Sequence, residues 1–279
     1  MTTTDTQELI IPYIGETSPY TIIPEHIILK DNSIETELNN CNFENENFLK
    51  FLKILASLAS CSLHQVLSNS AKEKTYFIGE KLRIKKISYK ESPASVTITG
   101  ESILESGRRG KTHLTVKDKV SEETVYSFEL DHYIITKETF KALYKNYFEP
   151  DVIMYYDEKL PKTQIIKTSA DHQFILSIDP FTPNQCKSHF ENYPIVPFLF
   201  VIKCILREIF RFFGADNCHE INNLEGHPTK AIPIETKLEV DVFYQTFLKD
   251  QTYIKCEIKD ASGYSYAVLM INLKSKYTK

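Results

Sequence analysis

The sequence predicts an α+β protein made of two similar units, in each of which an antiparallel sheet wraps around one long central helix. Residues 47–67 and 197–213 are both rich enough in apolar side chains to form a buried helix. Each is followed by short runs that read as strands, some of them with a clear alternation of apolar and polar residues. A short signature also recurs, because NFEN at 42–45 and HFEN at 189–192 precede the two helical stretches. The repeated order of elements predicts a duplicated unit.

The length and composition agree with two domains of ordinary size. The chain has 279 residues, of which 42% are hydrophobic and 25% charged, as in a soluble globular protein. We place the first unit at residues 1–150 and the second at residues 151–279. The net charge of -4 argues against a nucleic-acid-binding protein, which normally has a basic face.

Other sequence features exclude several classes of protein and site. The six cysteines form no C-x-x-C pair, which favours a reduced, cytoplasmic protein. The N-terminus has no basic segment followed by an apolar one, and no stretch is long and uncharged enough to span a membrane. The chain lacks a glycine-rich phosphate loop, and its histidines and cysteines lack the spacing of metal ligands. We therefore expect no cofactor and no metal.

In the first unit, residues 1–19 predict a tail with an edge segment. Two extended runs come before the helix, and several strands and a short helix follow it. Thr136 is a suitable N-cap for that short helix. The predicted strands are residues 20–29, 34–38, 81–89, 94–104, 112–116 and 124–135, and the short helix is residues 136–147.

The second unit repeats this order after a polar linker at residues 150–167. An extended run at 171–179 precedes the histidine-containing loop and the second long helix. Three strands follow the helix, and alternation of Leu238, Val240 and Val242 with charged residues shows that one face of the first of them is buried. The three predicted strands are residues 236–248, 252–260 and 264–273.

Residues 188–199 place a histidine on a constrained loop directly before the buried helix. Pro197 suits the first helical position, where its missing N–H has no cost. From residue 198 to 213 the sequence is apolar nearly all round, and Gly214 is a suitable C-terminal stop. This helix is too short and too charged to cross a bilayer.

This segment resembles the active-site segment of the hotdog-fold 3-hydroxyacyl-[acyl-carrier-protein] dehydratases, which reads H-F-P-G-x-P-x-x-P-G-(V/C)-L. The residues that match in type and register are His189, Phe190, Pro194, Pro197 and Leu199. The departures are Glu191, Asn192 and Phe198, which stand in place of Pro, Gly and the glycine at the helix start. The resemblance implies a double hotdog fold, with the residue-level motif only in the second unit.

The resemblance also implies roles for individual residues. His189 is the candidate general base, and the backbone N–H groups of Phe198 and Leu199 would polarise a thioester carbonyl. The carboxylate that the family carries on the facing helix is missing, since the helix at 47–67 offers Lys53 and Ser57 instead. The predicted substrate-binding residues are Pro197, Phe198, Leu199, Lys53, Ser57 and Lys203, where Lys203 is the repeat equivalent of Lys53.

Three functions remain open at this point. The favoured one is a dehydratase-like enzyme that acts on 3-hydroxyacyl thioesters in fatty-acid or polyketide biosynthesis. Its expected partner is an acyl carrier protein with a phosphopantetheine-linked acyl chain. The alternative is a non-catalytic hotdog partner or acyl-binding subunit of a dehydratase or ketosynthase complex, associated with a second hotdog protein or with a second copy of itself. A further alternative is an acyl thioesterase, because the same fold supports thioester hydrolysis with other residues.

Overall fold

The structure is a computed structural model that describes residues 13–30, 32–43, 45–67, 73–88, 93–150, 155–167, 172–213, 219–248 and 250–275. Within these ranges, twelve strands form one antiparallel sheet. The strands of the first half are β1 (Ile27–Lys30), β2 (Ser33–Asn39), β3 (Thr75–Lys86), β4 (Ser95–Ser106), β5 (Arg109–Asp118) and β6 (Thr124–Thr136). Those of the second half are β7 (Thr163–Lys167), β8 (Gln173–Ile178), β9 (His219–Pro228), β10 (Leu238–Leu248), β11 (Gln251–Asp260) and β12 (Ser265–Ser275).

Two long helices and two short ones accompany the sheet in the described ranges. The long helices are α1 (Asn45–Gln65) and α4 (Phe198–Phe212). The short ones are α2 (Lys137–Leu143), which one 3₁₀ turn follows, and α3 (Pro183–Cys186). The side chain of Thr136 caps α2 by accepting a hydrogen bond from the N–H of Thr139, as the sequence predicts.

Both halves have the same strand order. The sheet runs β1-β2-β4-β5-β6-β3 and then β9-β12-β11-β10-β8-β7, so the second half repeats the first in the opposite direction. The two halves join where β3 pairs with β9, from Leu82 opposite Gly226 to Lys85 opposite Asn223. The sequence predicts two separate sheets, and the structure differs because this central pairing makes them one.

The core lies between the sheet and the two long helices. Leu52, Leu55 and Leu58 of α1 are fully buried, as are Val201 and Ile205 of α4. Helix α1 packs on β4 and β5, α4 packs on β7 and β8, and the two helices contact each other. Each buried leucine contributes roughly 1.5–3 kcal/mol of hydrophobic stabilisation, which explains why these two stretches become the centre of the fold.

Two strands of the second half differ from the prediction. The segment predicted as a linker contains β7, an edge strand that pairs with β8 and packs Ile165 against the core. Strand β9 was not predicted, because Ile221 and Leu224 are its only large apolar residues and their spacing breaks the period of two. The pairing of β9 with β12 shifts register between Asn272 and Leu273. This shift lets both Ile221 and Leu224 face inward.

The segment before β1 also differs from the prediction. Within residues 20–29, the strand covers only the end of the run and begins at Ile27. Residues 13–22, which we call the strap, comprise the end of the predicted tail with its edge segment (residues 1–19) and the start of the extended run at 20–29, and both Ile14 and Tyr20 are buried. Ile14 forms a parallel bridge with Thr75 at the start of β3. The strap therefore belongs to the folded structure.

None of the helices in the described segments combines the length and the apolar character that crossing a bilayer requires.

Candidate active site

The loop after α3 holds His189 in one orientation. The ring nitrogen Nδ1 lies 3.0 Å from the carbonyl oxygen of Ile195. A carbonyl can only accept, so Nδ1 carries the proton and Nε2 keeps its lone pair. Asn192 has a φ of 63° and so provides the left-handed backbone at one of the positions where the dehydratase motif has glycine. The departure from glycine at this position is therefore compatible with the loop.

Aromatic side chains of the first half support this loop. The ring of Phe190 lies 5.0 Å from that of Phe140 in α2 and 5.8 Å from that of Tyr76 in β3. Tyr193 packs edge-on against Phe140 at 5.0 Å. These contacts belong to a buried cluster that joins the two halves of the chain. The position of His189 is thus set by residues of the other half.

The strap brings a carboxyl group to the same place. The N–H of Gly15 donates to the carbonyl of Thr75, and the N–H of Thr17 donates to the carbonyl of Ser188, both at 2.8 Å. A Cβ on Gly15 would lie 2.4 Å from the ring of Tyr76, so only glycine allows this close approach. Glu16, between the two anchored residues, is therefore held beside the His189 loop.

Glu16 and His189 form a close pair. Oε1 of Glu16 lies 3.7 Å from Nε2 of His189, and the two side chains are 17% and 12% exposed. Burial raises the pKa of Glu16 to about 8, against the opposing effect of the Lys53 ammonium. Burial also lowers the pKa of His189 to about 4; the hydrogen bond to Ile195 opposes this change and the Lys53 charge adds to it. At neutral pH the pair consists of a carboxylic acid and a neutral imidazole.

Lys53 acts through its charge on both members of this pair. Its Nζ donates to the hydroxyl of Tyr156 at 3.0 Å and lies 3.6 Å from a carboxylate oxygen of Glu158. Nζ of Lys53 also lies 4.6 Å from the centre of the Tyr20 ring. The Tyr20 ring is tilted against the His189 ring, with 4.8 Å between their centres. Burial lowers the pKa of Lys53, and the charge of Glu158 opposes that effect. Lys53 thus adds a positive charge to the surroundings of the pair.

The pair opens into a cavity of about 520 Å³ between the two halves. This volume is within the range of small-molecule sites. Ala56, Ser57 and Ser60 of α1 form one wall. Strands β3 and β6, the start of α4 and residues 228–232 form the others. The exposed residues Thr229 and Lys230 mark the side that is open to solvent.

The first turn of α4 offers hydrogen-bond donors to this cavity. The first intrahelical bonds are donated by Phe200 and Val201, both to the carbonyl of Pro197. The N–H groups of Phe198 and Leu199 come before them and so have no partner within the helix. Both residues line the cavity. A helix N-terminus is suited to hold an oxyanion there.

The ring of Phe198 does not close the cavity. It lies against Gly226 of β9, where a Cβ would come within 2.7 Å of the ring carbon Cε1. Because Gly226 has no side chain, the Phe198 ring lies against the sheet and leaves the cavity open.

The structure brings together most of the residues that the sequence singles out. Those that line the cavity are His189, Lys53, Ser57, Phe198 and Leu199. Pro197 and Lys203 do not line it. Pro197 is the N-cap of α4 rather than its first residue, with an extended ψ of 127°. Lys203 lies more than one turn further along α4 and reaches the site only through its charge, which lowers the pKa of Lys53.

Ser57 has a structural contact as well as a place in the cavity wall. Its hydroxyl donates to the carbonyl of Lys53 at 2.9 Å and accepts from the N–H of Ile22 in the strap at 3.2 Å. Cys61 and His64, which follow on the same helix, do not line the cavity. Within the described ranges, no group of three His, Cys, Asp or Glu side chains is arranged to hold a metal ion.

Sequence reasoning missed Glu16. The residue is a single acid in the segment Gly15-Glu16-Thr17, with no periodic pattern and no motif around it. The family resemblance implies a carboxylate on the facing helix, whereas the carboxyl group beside His189 comes from the strap. No sequence signal distinguishes Glu16 from the other acidic residues of the chain.

No protein-family model and no curated protein matches the sequence. Solved structures do resemble it in fold. The 12:0-ACP thioesterase from Umbellularia californica has a TM-score of 0.58 and 9% identity over 88% of this chain and 95% of its own. The acyl-CoA thioesterase II TesB2 from Mycobacterium marinum has a TM-score of 0.52 and 8% identity over 98% and 99%.

A third similar structure is described by its fold. It is a conserved protein of unknown function with a hot dog fold from Alicyclobacillus acidocaldarius, with a TM-score of 0.51 and 8% identity. It covers 91% of this chain and 97% of its own. At these identities the likeness shows fold alone, and the chain has a hotdog fold. The comparisons do not support the more specific resemblance to the dehydratase family.

Proposed function

We propose that the protein is a hydrolase of acyl thioesters whose acid–base pair is Glu16 and His189. The observation that carries this proposal is the 3.7 Å approach of the Glu16 carboxyl group to Nε2 of His189 at the wall of a cavity of about 520 Å³. The neighbours named as thioesterases support hydrolysis over dehydration, although they share only the fold. The sequence resemblance had favoured dehydration.

We also infer that the chain is a double hotdog, with units at residues 1–150 and 151–279. The identical strand order of the two halves and the long helix in each support this division. The site then lies between the units. The first unit supplies Glu16 and Lys53, and the second supplies His189 and the start of α4.

The first step is attack of water on the thioester carbonyl carbon. Nε2 of His189 accepts one proton of the water while its oxygen forms the new C–O bond. The carbonyl π electrons move to the oxygen, and the N–H groups of Phe198 and Leu199 stabilise the resulting oxyanion. The hydrogen bond from Nδ1 to Ile195 keeps Nε2 available throughout.

The second step breaks the C–S bond. The oxyanion electrons re-form the carbonyl, and the leaving sulfur takes the proton of the Glu16 carboxyl group. The products are a carboxylic acid and a thiol. The proton on His189 then returns to the Glu16 carboxylate, which the short separation of the two groups allows. The cycle consumes one thioester and one water.

The substrate class follows from the cavity and from the chemistry. A largely apolar cavity between a helix and a sheet suits an acyl chain, and a thioester carbonyl suits the donors at the start of α4. The thiol partner is a phosphopantetheine arm, which acyl carrier protein and coenzyme A share. We propose acyl carrier protein as the partner to test first.

Dehydration of a 3-hydroxyacyl thioester is the second candidate. It needs a base for the C2 proton and an acid for the departing C3 hydroxyl group. The neutral His189 and the protonated Glu16 offer both, so the acid that the sequence lacked is present. The same pair therefore serves either reaction, and the bound substrate decides which atoms it reaches.

One assay separates the candidates. Saturated acyl and 3-hydroxyacyl thioesters of an acyl carrier protein are incubated with the enzyme, and both thiol release and enoyl absorbance are recorded. Thiol release from both substrates supports hydrolysis, whereas enoyl formation without thiol release would replace it with dehydration. Turnover of neither substrate, with a stable complex to a second hotdog protein, would favour a binding subunit.

Matched variants test the role of the pair in that assay. We expect His189→Ala and Glu16→Gln each to lower kcat by roughly 10²–10⁴-fold. Glu191→Gln is the control, because Glu191 belongs to the same loop but is 68% exposed and pairs with Lys74 at the surface. Full activity of Glu16→Gln would overturn the proposed mechanism.

A further inference from the structure

His132 is a buried histidine in the cavity wall that the proposed mechanism does not use. It lies on the inward face of β6 and is 2% exposed. Its two cross-strand neighbours are both glycines, Gly79 in β3 and Gly110 in β5. His132 and Gly79 both line the cavity.

The space around the ring is open on one side only. A Cβ on Gly110 would lie 2.4 Å from Cδ1 of Leu63, so the helix fills that side. A Cβ on Gly79 would meet only Cδ1 of Leu130, at an ordinary 3.7 Å. The open side of His132 is therefore the side of Gly79.

One nitrogen of the ring lacks a polar partner among the described residues. Nδ1 of His132 is buried and has no hydrogen-bond partner among the described residues. The surroundings are apolar, with Phe77 edge-on at 5.7 Å and Leu82 and Leu130 in the same wall. Burial lowers the pKa of His132 to about 3, so the ring is neutral. Buried polar atoms are rarely left without a partner, so an unpaired one on a residue of the cavity wall is available to a polar group of a ligand.

We propose that His132 recognises a hydroxyl group on the acyl chain of the substrate. A neutral imidazole has one N–H donor and one acceptor nitrogen. A hydroxyl group can accept from the first or donate to the second, so it suits either tautomer. A carboxylate would need a cation beside the ring, but Lys53 and Lys81 of the cavity wall pair with Glu158 and Glu225, and Lys230 lies at the open side. An unsubstituted chain would leave Nδ1 unpaired. This inference rests on the proposed binding of an acyl thioester and specifies its substrate class.

Binding measured without turnover tests the inference. The His189→Ala variant is titrated by calorimetry with dodecanoyl-pantetheine and with a series of hydroxydodecanoyl-pantetheines that differ in the position of the hydroxyl group. We expect at least one hydroxylated member to bind about tenfold more tightly than the unsubstituted chain, and this preference to disappear in His189→Ala/His132→Leu. His189→Ala/His132→Gln, which keeps a donor and an acceptor, should restore part of it.

His64 provides the matched control. It is also buried, has an unpartnered Nε2 among the described residues, and packs edge-on against the same Phe77 at 6.4 Å. It does not line the cavity, so His189→Ala/His64→Leu should keep the preference for the hydroxylated chain. Equal binding of all chains, or a preference that survives His132→Leu, would overturn the inference. Discrimination in binding without hydrolysis by the wild type would sustain it and reject the proposed reaction.

Discussion

Oε1 of Glu16 lies 3.7 Å from Nε2 of His189, although one residue is near the start of the chain and the other is in its second half. Two backbone hydrogen bonds, on either side of Glu16, produce this approach. The pair gives the cavity an acid and a base with pKa values shifted in opposite directions. Such a separation of pKa values is the usual way for an enzyme to assign the two roles.

The pH dependence of kcat/KM should be bell-shaped. His189 must be neutral to accept a proton, and it becomes so as the pH rises through about 4. Glu16 must be protonated to donate, and it loses that proton as the pH rises through about 8. The residual activity of Glu16→Gln should lack the alkaline limb. A rate that continues to rise well above pH 8 would show that the ionised carboxylate is the active form.

The stability of Glu16→Gln should depend on pH in a defined direction. The folded-state pKa of Glu16 is about 8 against an ordinary 4.5, so the folded protein binds more protons between these values. The free energy of unfolding therefore falls as the pH rises through this window. Well above pH 8 we expect Glu16→Gln to be more stable than the wild type by roughly 5 kcal/mol, which is about 1.4 kcal/mol for each pH unit between the two pKa values, and below pH 4.5 equally stable. Urea unfolding at both extremes, with Glu191→Gln as control, measures the difference.

Lys53→Met should shift both limbs of the pH profile to higher pH. The Lys53 ammonium lowers the pKa of Glu16 and that of His189, so its removal raises both by roughly 0.5–1 pH unit. Lys203→Met is the matched control, because Lys203 has no resolved effect on either group. A profile of Lys53→Met that coincides with the wild type would contradict this account.

Gly15→Ala should lower activity by displacing the strap. The new Cβ would lie 2.4 Å from the Tyr76 ring, and a shift of Glu16 by about 1 Å is expected to cost roughly 10²-fold in kcat/KM. Gly107→Ala is the control, since nothing lies within 4 Å of a Cβ there. If the defect acts through Glu16, Gly15→Ala should have little further effect in the Glu16→Gln background. Additive defects would show another cause.

Phe198 and Gly226 should control the width of the cavity together. A Cβ on Gly226 would lie 2.7 Å from the Phe198 ring, so Gly226→Ala should force the ring from its place and raise KM for long acyl chains. Phe198→Ala should lower KM for branched chains and cost about 1–3 kcal/mol of stability, less than a core phenylalanine would because Phe198 is only half-buried. The double variant should behave as Phe198→Ala, because the clashing ring is gone. A KM series over chain length and branching checks all three.

Much of the fold could be predicted from local sequence. The dense apolar runs around Leu55 and Ile205 identify the two long helices, and the alternation at Leu238, Val240 and Val242 identifies β10. These patterns are local because a helix or a strand repeats its buried positions every few residues. Strand β9 escaped prediction because its few apolar residues are out of period and its partners, β3 and β12, are distant in the chain.

The sequence alone determined that the chain repeats a helix-and-sheet unit and that His189 precedes the second helix. Only the tertiary structure decided what faces that histidine. Glu16 reaches it through the strap, Lys53 comes from α1, and His132 lines the cavity from β6. The physical reason is that periodicity and motifs describe neighbours along the chain, whereas a site is made by contacts between distant segments. Those contacts exist only once the strap, the two helices and the central pairing of β3 with β9 have closed the fold.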